Sequence, residues 1–291
     1  MCIRDSNGGM SSAPPTTALA VRRERNYLEA FLERYWFAPP VALWRSIEAH
    51  ALSEIDFPAP MLDFGCGDGM FTEAIFGKQP GVYGCDIATA ELPSARASGV
   101  YTEGVEFADG HALPYATGTF GSVYSNSVVE HIPDPENVLP ELARVLRPGG
   151  KLILTVPSDQ FRGLLHGVKS AASPEAAKAY SDVIDKRFAH HHYHSPAEWA
   201  ALFAAVGITL SLARYYVSPA AMLAWDQMNA EFGIGQRTLL STLMGPKLRW
   251  LGIGPALTRG KLAARLGEMR ARYADAWGAE GGGLLVVGER V

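Results

Sequence analysis

The chain has 291 residues, 48% of them hydrophobic and 19% charged, which is enough apolar material for one large or two small domains and excludes disorder throughout. Its 26 basic and 30 acidic residues give a net charge of −4, so a nucleic-acid partner is not expected. The longest uncharged apolar-rich stretch, 199–213, is shorter than the ~20 residues of a spanning helix. Three cysteines form neither a disulfide framework nor a metal motif, which favours a reducing, cytoplasmic location.

The first 55 residues predict a lead-in followed by two helices. The opening MCIRDS (1–6) resembles a translated sequencing adapter, and residues 7–19 are rich in Gly, Ser, Pro and Thr, so 1–19 is predicted to be disordered. Helices are expected over Ala20–Phe37, ended by Pro39 and Pro40, and over Val41–Leu52. Segment 20–55 packs either as ordinary core or as a helical lid over a ligand.

From residue 56 onwards, short apolar strands alternate with helices, which predicts a mostly parallel, doubly wound α/β sheet. A capping box at Ser195 and Glu198 opens one of these helices. Two further segments, 160–194 and 218–281, are read as helical insertions. The predicted strands are Met61–Phe64, Gly81–Cys85, Val105–Ala108, Ser122–Ser125, Leu152–Val156, Ile208–Val217 and Gly283–Val291.

The first of these strands ends in a glycine-rich turn, Asp63-Phe64-Gly65-Cys66-Gly67-Asp68-Gly69. Glycines let the backbone turn sharply and approach a ligand, and this turn lies at the ligand-binding edge of a doubly wound sheet. The third glycine comes one residue too early for the dinucleotide fingerprint, and the two carboxylates would repel a phosphate but could accept from an ammonium group. The next strand ends in Asp86, which can accept from ribose hydroxyls. The pattern therefore indicates a nucleoside that carries an amino acid.

Residues 56–159 resemble the class I S-adenosylmethionine-dependent methyltransferases, in particular the group that includes the ubiquinone and menaquinone pathway enzymes. Five motifs in the expected order carry the resemblance: the glycine turn, 83–86 (YGCD), 108–114 (ADGHALP), 120–131 (FGSVYSNSVVEH) and 146–150 (LRPGG). The resemblance implies a Rossmann-like seven-stranded sheet with an antiparallel last strand, and S-adenosylmethionine as the cofactor.

The same resemblance implies a role for each motif residue. Gly65, Gly67 and Gly69, with Cys66 and Asp68 of the same turn, would line the methionine part, and Asp63 would lie near its amino group. Asp86 would contact the ribose. The adenine would be contacted by Ile87, Asp109, Gly110 and His111. The sulfonium would lie against Asn126 and Ser127, with His131 just beyond.

Methyl transfer from a sulfonium needs alignment of donor and acceptor, and a general base only if the acceptor must lose a proton. His131 is one candidate base, with ordinary structure as the alternative. The cluster 190–194 (HHHYH) has three interpretations: exposed or structural histidines, a metal site, or a base facing the acceptor. We predict no metal, and expect His191 or His194 to face the acceptor.

The segment 236–272 combines eight basic residues and one acid with interleaved apolar side chains. It is either a helical subdomain with solvated charges, a dimer surface, or a peripheral membrane contact. The sequence leaves the oligomeric state open. It predicts a methyltransferase whose acceptor is a small or lipid-like molecule methylated at O, N or C. Three alternatives remain: a cofactor-binding pseudoenzyme acting as a partner subunit, transfer of another group, and a dinucleotide-dependent enzyme.

Overall fold

A computed structural model of the chain describes residues 17–232, 239–244, 249–274 and 278–291. Twelve α-helices lie in these ranges, and none of them is long and apolar enough to cross a bilayer. They are α1 (Tyr27–Tyr35), α2 (Pro39–Ser53), α3 (Met70–Phe76), α4 (Leu92–Ser98), α5 (Pro135–Val145), α6 (Phe161–Leu164), α7 (His166–Lys169), α8 (Pro174–Phe188), α9 (Pro196–Ala205), α10 (Pro219–Phe232), α11 (Leu239–Met244) and α12 (Ile253–Ala274), with 3₁₀ turns at Val129–His131 and Arg249–Leu251.

One sheet of seven strands runs through the described chain, in the order β3-β2-β1-β4-β5-β7-β6. Strands β1 to β5 are parallel, and β7 pairs antiparallel with both β5 and β6, which confirms the Rossmann-like prediction with its antiparallel last strand. The strands are β1 (Met61–Phe64), β2 (Val82–Asp86), β3 (Val105–Phe107), β4 (Phe120–Asn126), β5 (Leu146–Pro157), β6 (Ile208–Tyr216) and β7 (Gly283–Arg290).

Helices cover both faces of the sheet, as expected for strands that are buried on two sides. Leu142 of α5 and Trp199 and Phe203 of α9 belong to the core on one face. The other face is covered by α1, α2, α3 and α10, with Phe31 and Leu43 among the fully buried side chains. The parallel strands therefore end together at an edge that the N-terminal helices and α6–α8 can flank.

The predicted strands and the capping box are all found, with shifts of a few residues at their ends. Ser195 Oγ accepts from the Glu198 backbone N–H and the Glu198 side chain accepts from the Ser195 N–H, as the sequence predicts. Pro39 and Pro40 begin α2 instead of merely ending α1, because a missing N–H is tolerated in the first turn. Helices also occupy the predicted insertions 160–194 and 218–281.

The predicted disordered lead-in, 1–19, is wrong at its end. Residues 1–16 lie outside the described ranges, but Thr17, Ala18 and Leu19 are held along the segment that precedes β1. The Leu19 N–H donates to the Phe57 carbonyl at 2.8 Å, and the buried Leu19 side chain joins the core. Composition alone could not show this, since Leu19 pairs with Phe57, a residue far along the sequence.

Candidate functional site

The carboxyl ends of β1, β2 and β4 surround a cleft of about 590 Å³, called here the large cleft. Every residue predicted to contact the cofactor lines it except Gly69, and so does His131. Gly69 instead precedes α3 with a φ of +78°, and a Cβ there would meet Tyr101 at 2.8 Å. Its need for glycine is therefore explained by packing, while the other predicted contacts share one cavity: Asp63, Gly65, Cys66, Gly67, Asp68, Asp86, Ile87, Asp109, Gly110, His111, Asn126 and Ser127.

Asp63 lies at the bottom of the large cleft and is almost fully buried. Burial raises the pKa of Asp63 to about 6, although hydrogen bonds from Thr72 Oγ1 (2.5 Å) and the Tyr101 hydroxyl (2.7 Å) favour its charged form. Both bonds reach Oδ2, which leaves Oδ1 for a ligand. A carboxylate in this environment gains most from a cationic partner, and the amino group of a bound amino acid would be one.

Asp86 holds two backbone segments at the end of β2. Its Oδ2 accepts from the Gly67 N–H at 2.8 Å and its Oδ1 accepts from the Ala88 N–H at 2.7 Å. Each carboxylate oxygen has a second lone pair, so the same group can still accept from two hydroxyls. The neighbouring Ile87 lines the cleft with 62% of its surface exposed, an apolar surface that a flat ring could cover.

At the rim of the large cleft, Asp109 and His111 form a hydrogen-bonded pair. His111 Nδ1 lies 2.7 Å from Asp109 Oδ1, and its Nε2 lies 3.4 Å from Asp134 Oδ2. The hydrogen bonds to Asp109 and then Asp134 raise the pKa of His111. Because His111 uses only Oδ1 of Asp109, the other oxygen remains for a donor such as an adenine amino group.

Arg45 and Glu48 of α2 organise the end of β4, and the sequence analysis missed both. The Arg45 guanidinium donates to Glu48 Oε2 (2.8 Å), Asn126 Oδ1 (2.8 Å) and Ser127 Oγ (3.2 Å). Glu48 is fully buried, and its Oε1 accepts from Ser127 Oγ (3.0 Å) and from the Tyr216 hydroxyl (2.8 Å). Although burial opposes its charge, Glu48 raises the pKa of Arg45. A signal was present: two opposite charges three residues apart in an otherwise apolar helix.

A second cavity of about 160 Å³, called here the aromatic cavity, adjoins the large cleft. Arg45, Ser127 and His131 line both cavities, so they mark the junction between them. The remaining lining is largely aromatic and comes from α2, the end of β5, α6, α8, the loop after α8, and α10: Val41, Trp44, Pro157, Phe161, Phe188, His190, Trp225, Asn229 and, from the 3₁₀ turn, Glu130.

His131 stands at the junction with one ring nitrogen engaged. Nδ1 lies 3.1 Å from the Ala189 carbonyl, which can only accept, so Nδ1 carries the proton and Nε2 keeps a lone pair. Burial lowers the pKa of His131, which keeps the ring neutral near pH 7. Its Nε2 lies 3.9 Å from Glu130 Oε1. This ring could accept a proton from a molecule in the aromatic cavity.

The structure does not bring His191 or His194 to either cavity. The His191 side chain is exposed while its backbone N–H donates to the Glu130 carbonyl, and the His194 ring packs on His192 and against the edge of Trp199. His192 Nε2 lies within hydrogen-bond distance of the Val129 and Ile132 carbonyls and so acts as a donor. In the described ranges, no three His, Cys, Asp or Glu residues are grouped as metal ligands.

His190 is the member of the cluster that lines the aromatic cavity. Its Nδ1 lies 3.0 Å from the Tyr193 hydroxyl, which donates to Asp185 Oδ1 at 2.5 Å, and Arg162 pairs with Asp185. Burial lowers the pKa of His190 to about 4. The sequence pattern indicated that this segment is of functional interest, but it could not show which of the histidine side chains points into a cavity.

Comparisons with known proteins find similarity to methyltransferases. Residues 62–154 match the family model "Methyltransferase domain". Methyltransferase GfsG of Streptomyces halstedii is 36% identical over 119 residues (38% of this chain, 41% of that protein), and ubiquinone biosynthesis O-methyltransferase of Pseudomonas aeruginosa is 30% identical over 115 residues (38% and 50%). The chain thus spans half or less of these relatives' length.

Two solved structures share the fold across most of the chain. An S-adenosylmethionine-dependent methyltransferase of Thermotoga maritima is 16% identical, with a TM-score of 0.54 over 91% of this chain and 100% of that one. A geranyl diphosphate methyltransferase in complex with geranyl diphosphate and sinefungin is 18% identical, with a TM-score of 0.51 over 96% and 90%. At such identities the likeness establishes the fold alone.

The glycine turn gives a testable separation of binding from stability. Gly67 has a φ of +52° and lines the large cleft, and a Cβ there would meet no atom within 4 Å, so it would project into the cleft. We expect Gly67→Ala to cost about 1–2 kcal/mol of unfolding free energy from left-handed backbone strain, and to weaken S-adenosylhomocysteine binding about tenfold or more by occupying ligand space.

Gly99→Ala is the matched control, since Gly99 has a φ of +71°, also meets no atom within 4 Å, and lies outside the large cleft. It should show a similar stability loss in urea unfolding with unchanged affinity by calorimetry. Equal ligand affinity for both variants would contradict the assignment of Gly67 to the ligand surface.

Proposed function

Because the chain belongs to the class I S-adenosylmethionine-dependent methyltransferases, with S-adenosylmethionine as their cofactor, we propose that it methylates a small molecule held in the aromatic cavity. The observation that carries this proposal is the junction at Arg45, Ser127 and His131, which lines both cavities. A cofactor in the large cleft with its sulfonium at this junction would present its methyl group to the aromatic cavity.

The cofactor residues divide by the chemistry of the ligand. Asp63 would take the amino group, Asp86 the ribose hydroxyls and Ile87 one face of the adenine. Asp109 with His111 would take the adenine amino group, and the turn around Gly67 would admit the methionine chain. When bound, S-adenosylmethionine supplies the activated methyl group, so the chain's own contribution is alignment and exclusion of water.

We propose that α2 and the insertion helices form the acceptor side, with His131 in place of the predicted His191 and His194 as the proton acceptor. Its neutral Nε2 could take a proton from an acceptor that must lose one. The segment 20–55 then forms part of the acceptor site as well as part of the core, because Trp44 and Arg45 line the aromatic cavity. The atom methylated (O, N or C) and a cytoplasmic location stay predictions.

The alternatives from the sequence are not favoured. The relatives named above are methyltransferases, which argues against a dinucleotide-dependent enzyme and against transfer of a different group. A pseudoenzyme would not need an open junction between the cofactor side and a polar, aromatic cavity.

Calorimetry tests the cofactor assignment directly. S-Adenosylhomocysteine should bind and NAD should not, and Asp86→Ala should weaken S-adenosylhomocysteine binding about tenfold or more, because it removes a carboxylate worth about 1–3 kcal/mol of hydrogen bonding. Asp182→Ala is the control, since that carboxylate is exposed on α8 and pairs with Lys178. Preferential binding of NAD, or equal S-adenosylhomocysteine affinity for both variants, would refute the assignment. Extracts given labelled cofactor should then yield a labelled methyl product by mass spectrometry.

Peripheral membrane contact through 236–272 stays a prediction, since residues 233–238 and 245–248 lie outside the described ranges. Within the described part, four neighbouring apolar side chains are at least 42% exposed: Trp250, Leu251, Ile253 and Leu257. Nearby basic groups are partly neutralised, because Arg265 pairs with Glu231 and Glu268, and Arg270 pairs with Glu29. Any contact would therefore depend more on the apolar side chains than on charge.

Sedimentation with phosphatidylglycerol vesicles at low salt tests this contact. The protein should sediment with the vesicles, and Trp250→Ala should reduce the bound fraction severalfold, since a tryptophan contributes much of the insertion energy. Phe107→Ala is the control, an aromatic side chain with 54% exposure on β3. Absence of sedimentation for the unchanged protein would remove the membrane proposal.

A further inference from the structure

Two buried residues that line the aromatic cavity each have one polar atom without a hydrogen-bond partner among the described residues. Glu130 is 2% exposed, and its Oε2 finds no hydrogen-bond partner in the described part of the chain. Asn229 is 1% exposed, and its Nδ2 is likewise without one there. Burying a polar group without a partner costs about 1–3 kcal/mol, so such a group usually finds a partner in a buried water, an ion or a ligand. Both line the same cavity, which indicates a polar ligand and not a hydrocarbon chain.

The charges around this cavity balance only while Glu130 is protonated. Arg45 and Glu48 neutralise each other through their 2.8 Å ion pair. His131 and His190 are both uncharged near pH 7, because burial lowers the pKa of each. An ionised Glu130 would therefore leave the cavity with one net negative charge, and a monocation would compensate it.

The cavity wall is also suited to a cation. Trp44 and Trp225 have ring centroids 5.4 Å apart, Phe161 lies 5.9 Å from Trp44 and 5.8 Å from Trp225, and Phe188 lies 5.5 Å from Trp225. Aromatic faces attract cations, and tryptophan does so most strongly. A buried carboxylate beside such a wall is a combination that favours an ammonium group over a neutral hydroxyl.

From this juxtaposition we infer that the methyl acceptor is a small amine, bound as its ammonium ion between Glu130 and the aromatic wall formed by Trp44, Phe161, Phe188 and Trp225. The inference deepens the proposed function and rests on it. The volume of about 160 Å³ is below the ~300–1,000 Å³ of pockets for drug-sized ligands, so the amine, or the part of it that enters, is small.

The chemistry balances without a further reactant. The ammonium gives one proton to His131 Nε2, so an N–H bond breaks on the amine and one forms on the imidazole. The resulting positive charge of the imidazolium is stabilised by Glu130, whose Oε1 lies 3.9 Å from Nε2. The freed nitrogen lone pair then attacks the methyl carbon. The C–N bond forms as the C–S bond breaks, and sulfur keeps the electron pair as a neutral thioether. The product is the N-methylammonium ion.

The test compares amines with alcohols of the same shape on protein loaded with S-adenosylhomocysteine. Ethylammonium, benzylammonium and phenethylammonium are titrated against ethanol, benzyl alcohol and 2-phenylethanol by calorimetry at pH 8. We expect at least one amine to bind tenfold or more tightly than its alcohol. If no amine binds more tightly than its alcohol, the inference is overturned.

Glu130→Gln keeps the shape of the side chain and removes its charge. It should abolish the amine preference while leaving the S-adenosylhomocysteine affinity within about twofold. Glu136→Gln, an exposed glutamate on α5, is the matched control and should leave both unchanged. Retention of the amine preference by Glu130→Gln would overturn the inference. Failure of S-adenosylhomocysteine to bind the unchanged protein would instead overturn the proposed function.

The pH dependence gives an independent measurement. Burial, with Glu48 adding to it and Arg45 opposing it, raises the pKa of Glu130 to about 8; Tyr216, His131 and His190 are the other titratable groups around it. An ammonium must displace the Glu130 proton below that pH, so amine affinity should rise up to tenfold per pH unit from pH 6 to 8. In Glu130→Gln this rise should disappear; a rise that persists would contradict the role of Glu130.

The Glu130→Gln variant is also expected to fold. Because burial raises the pKa of Glu130, the native protein holds this proton more tightly than the unfolded chain, so the contribution of Glu130 to stability falls as pH rises from about 5 to 8. Glu130→Gln removes this loss and should unfold at an equal or higher urea concentration than the unchanged protein at pH 8. A marked destabilisation would mean that the ionised carboxylate has a partner in the free protein, against the inference.

Discussion

The site depends on one ion pair, between the partly exposed Arg45 and the fully buried Glu48. It fixes Asn126 and Ser127 at the end of β4, and through Tyr216 it ties α2 to β6. Because Glu48 is fully buried, loss of Arg45 would leave its charge uncompensated and destabilise the fold. A helix outside the cofactor motifs therefore sets the position of the residues expected under the sulfonium.

In the proposed function, cofactor binding and acceptor binding are separated in space. The parallel strand ends and their turns hold the carboxylates and glycines that are proposed to bind a nucleoside with an amino acid, at the edge where doubly wound sheets bind ligands. The N-terminal helices and the insertions supply aromatic rings and buried polar groups on the other side of the junction.

The sequence predicted the sheet well, and nearly all of the residues it assigned to the cofactor line one cleft, for a physical reason. Apolar strands, the glycine turn and Asp86 are local patterns, and each follows from its own few residues. Gly69 is the exception, since its close approach to Tyr101 involves another segment. The sequence analysis missed the pairing of Leu19 with Phe57 for the same reason, because it is a contact between residues that are distant in sequence.

The sequence did not predict the aromatic cavity, because that cavity is built from contacts across the chain. Glu130 stands in a recognised motif, but only the folded structure buries it beside Trp44 and Trp225. In the histidine cluster, the sequence favoured His191 and His194, whereas loop geometry turns His190 towards the cavity. Alternate residues of a loop, unlike those of a strand, do not share one face, so the spacing of the histidines could not show which of them points into the cavity.

A crystal structure with bound S-adenosylhomocysteine tests the central claim most directly, namely that the large cleft delivers a methyl group to the aromatic cavity. The account predicts that the thioether sulfur lies at the junction of Arg45, Ser127 and His131, with its open face towards Glu130 and the aromatic wall. A ligand bound with its sulfur turned away from this junction, or bound outside the large cleft, would contradict it.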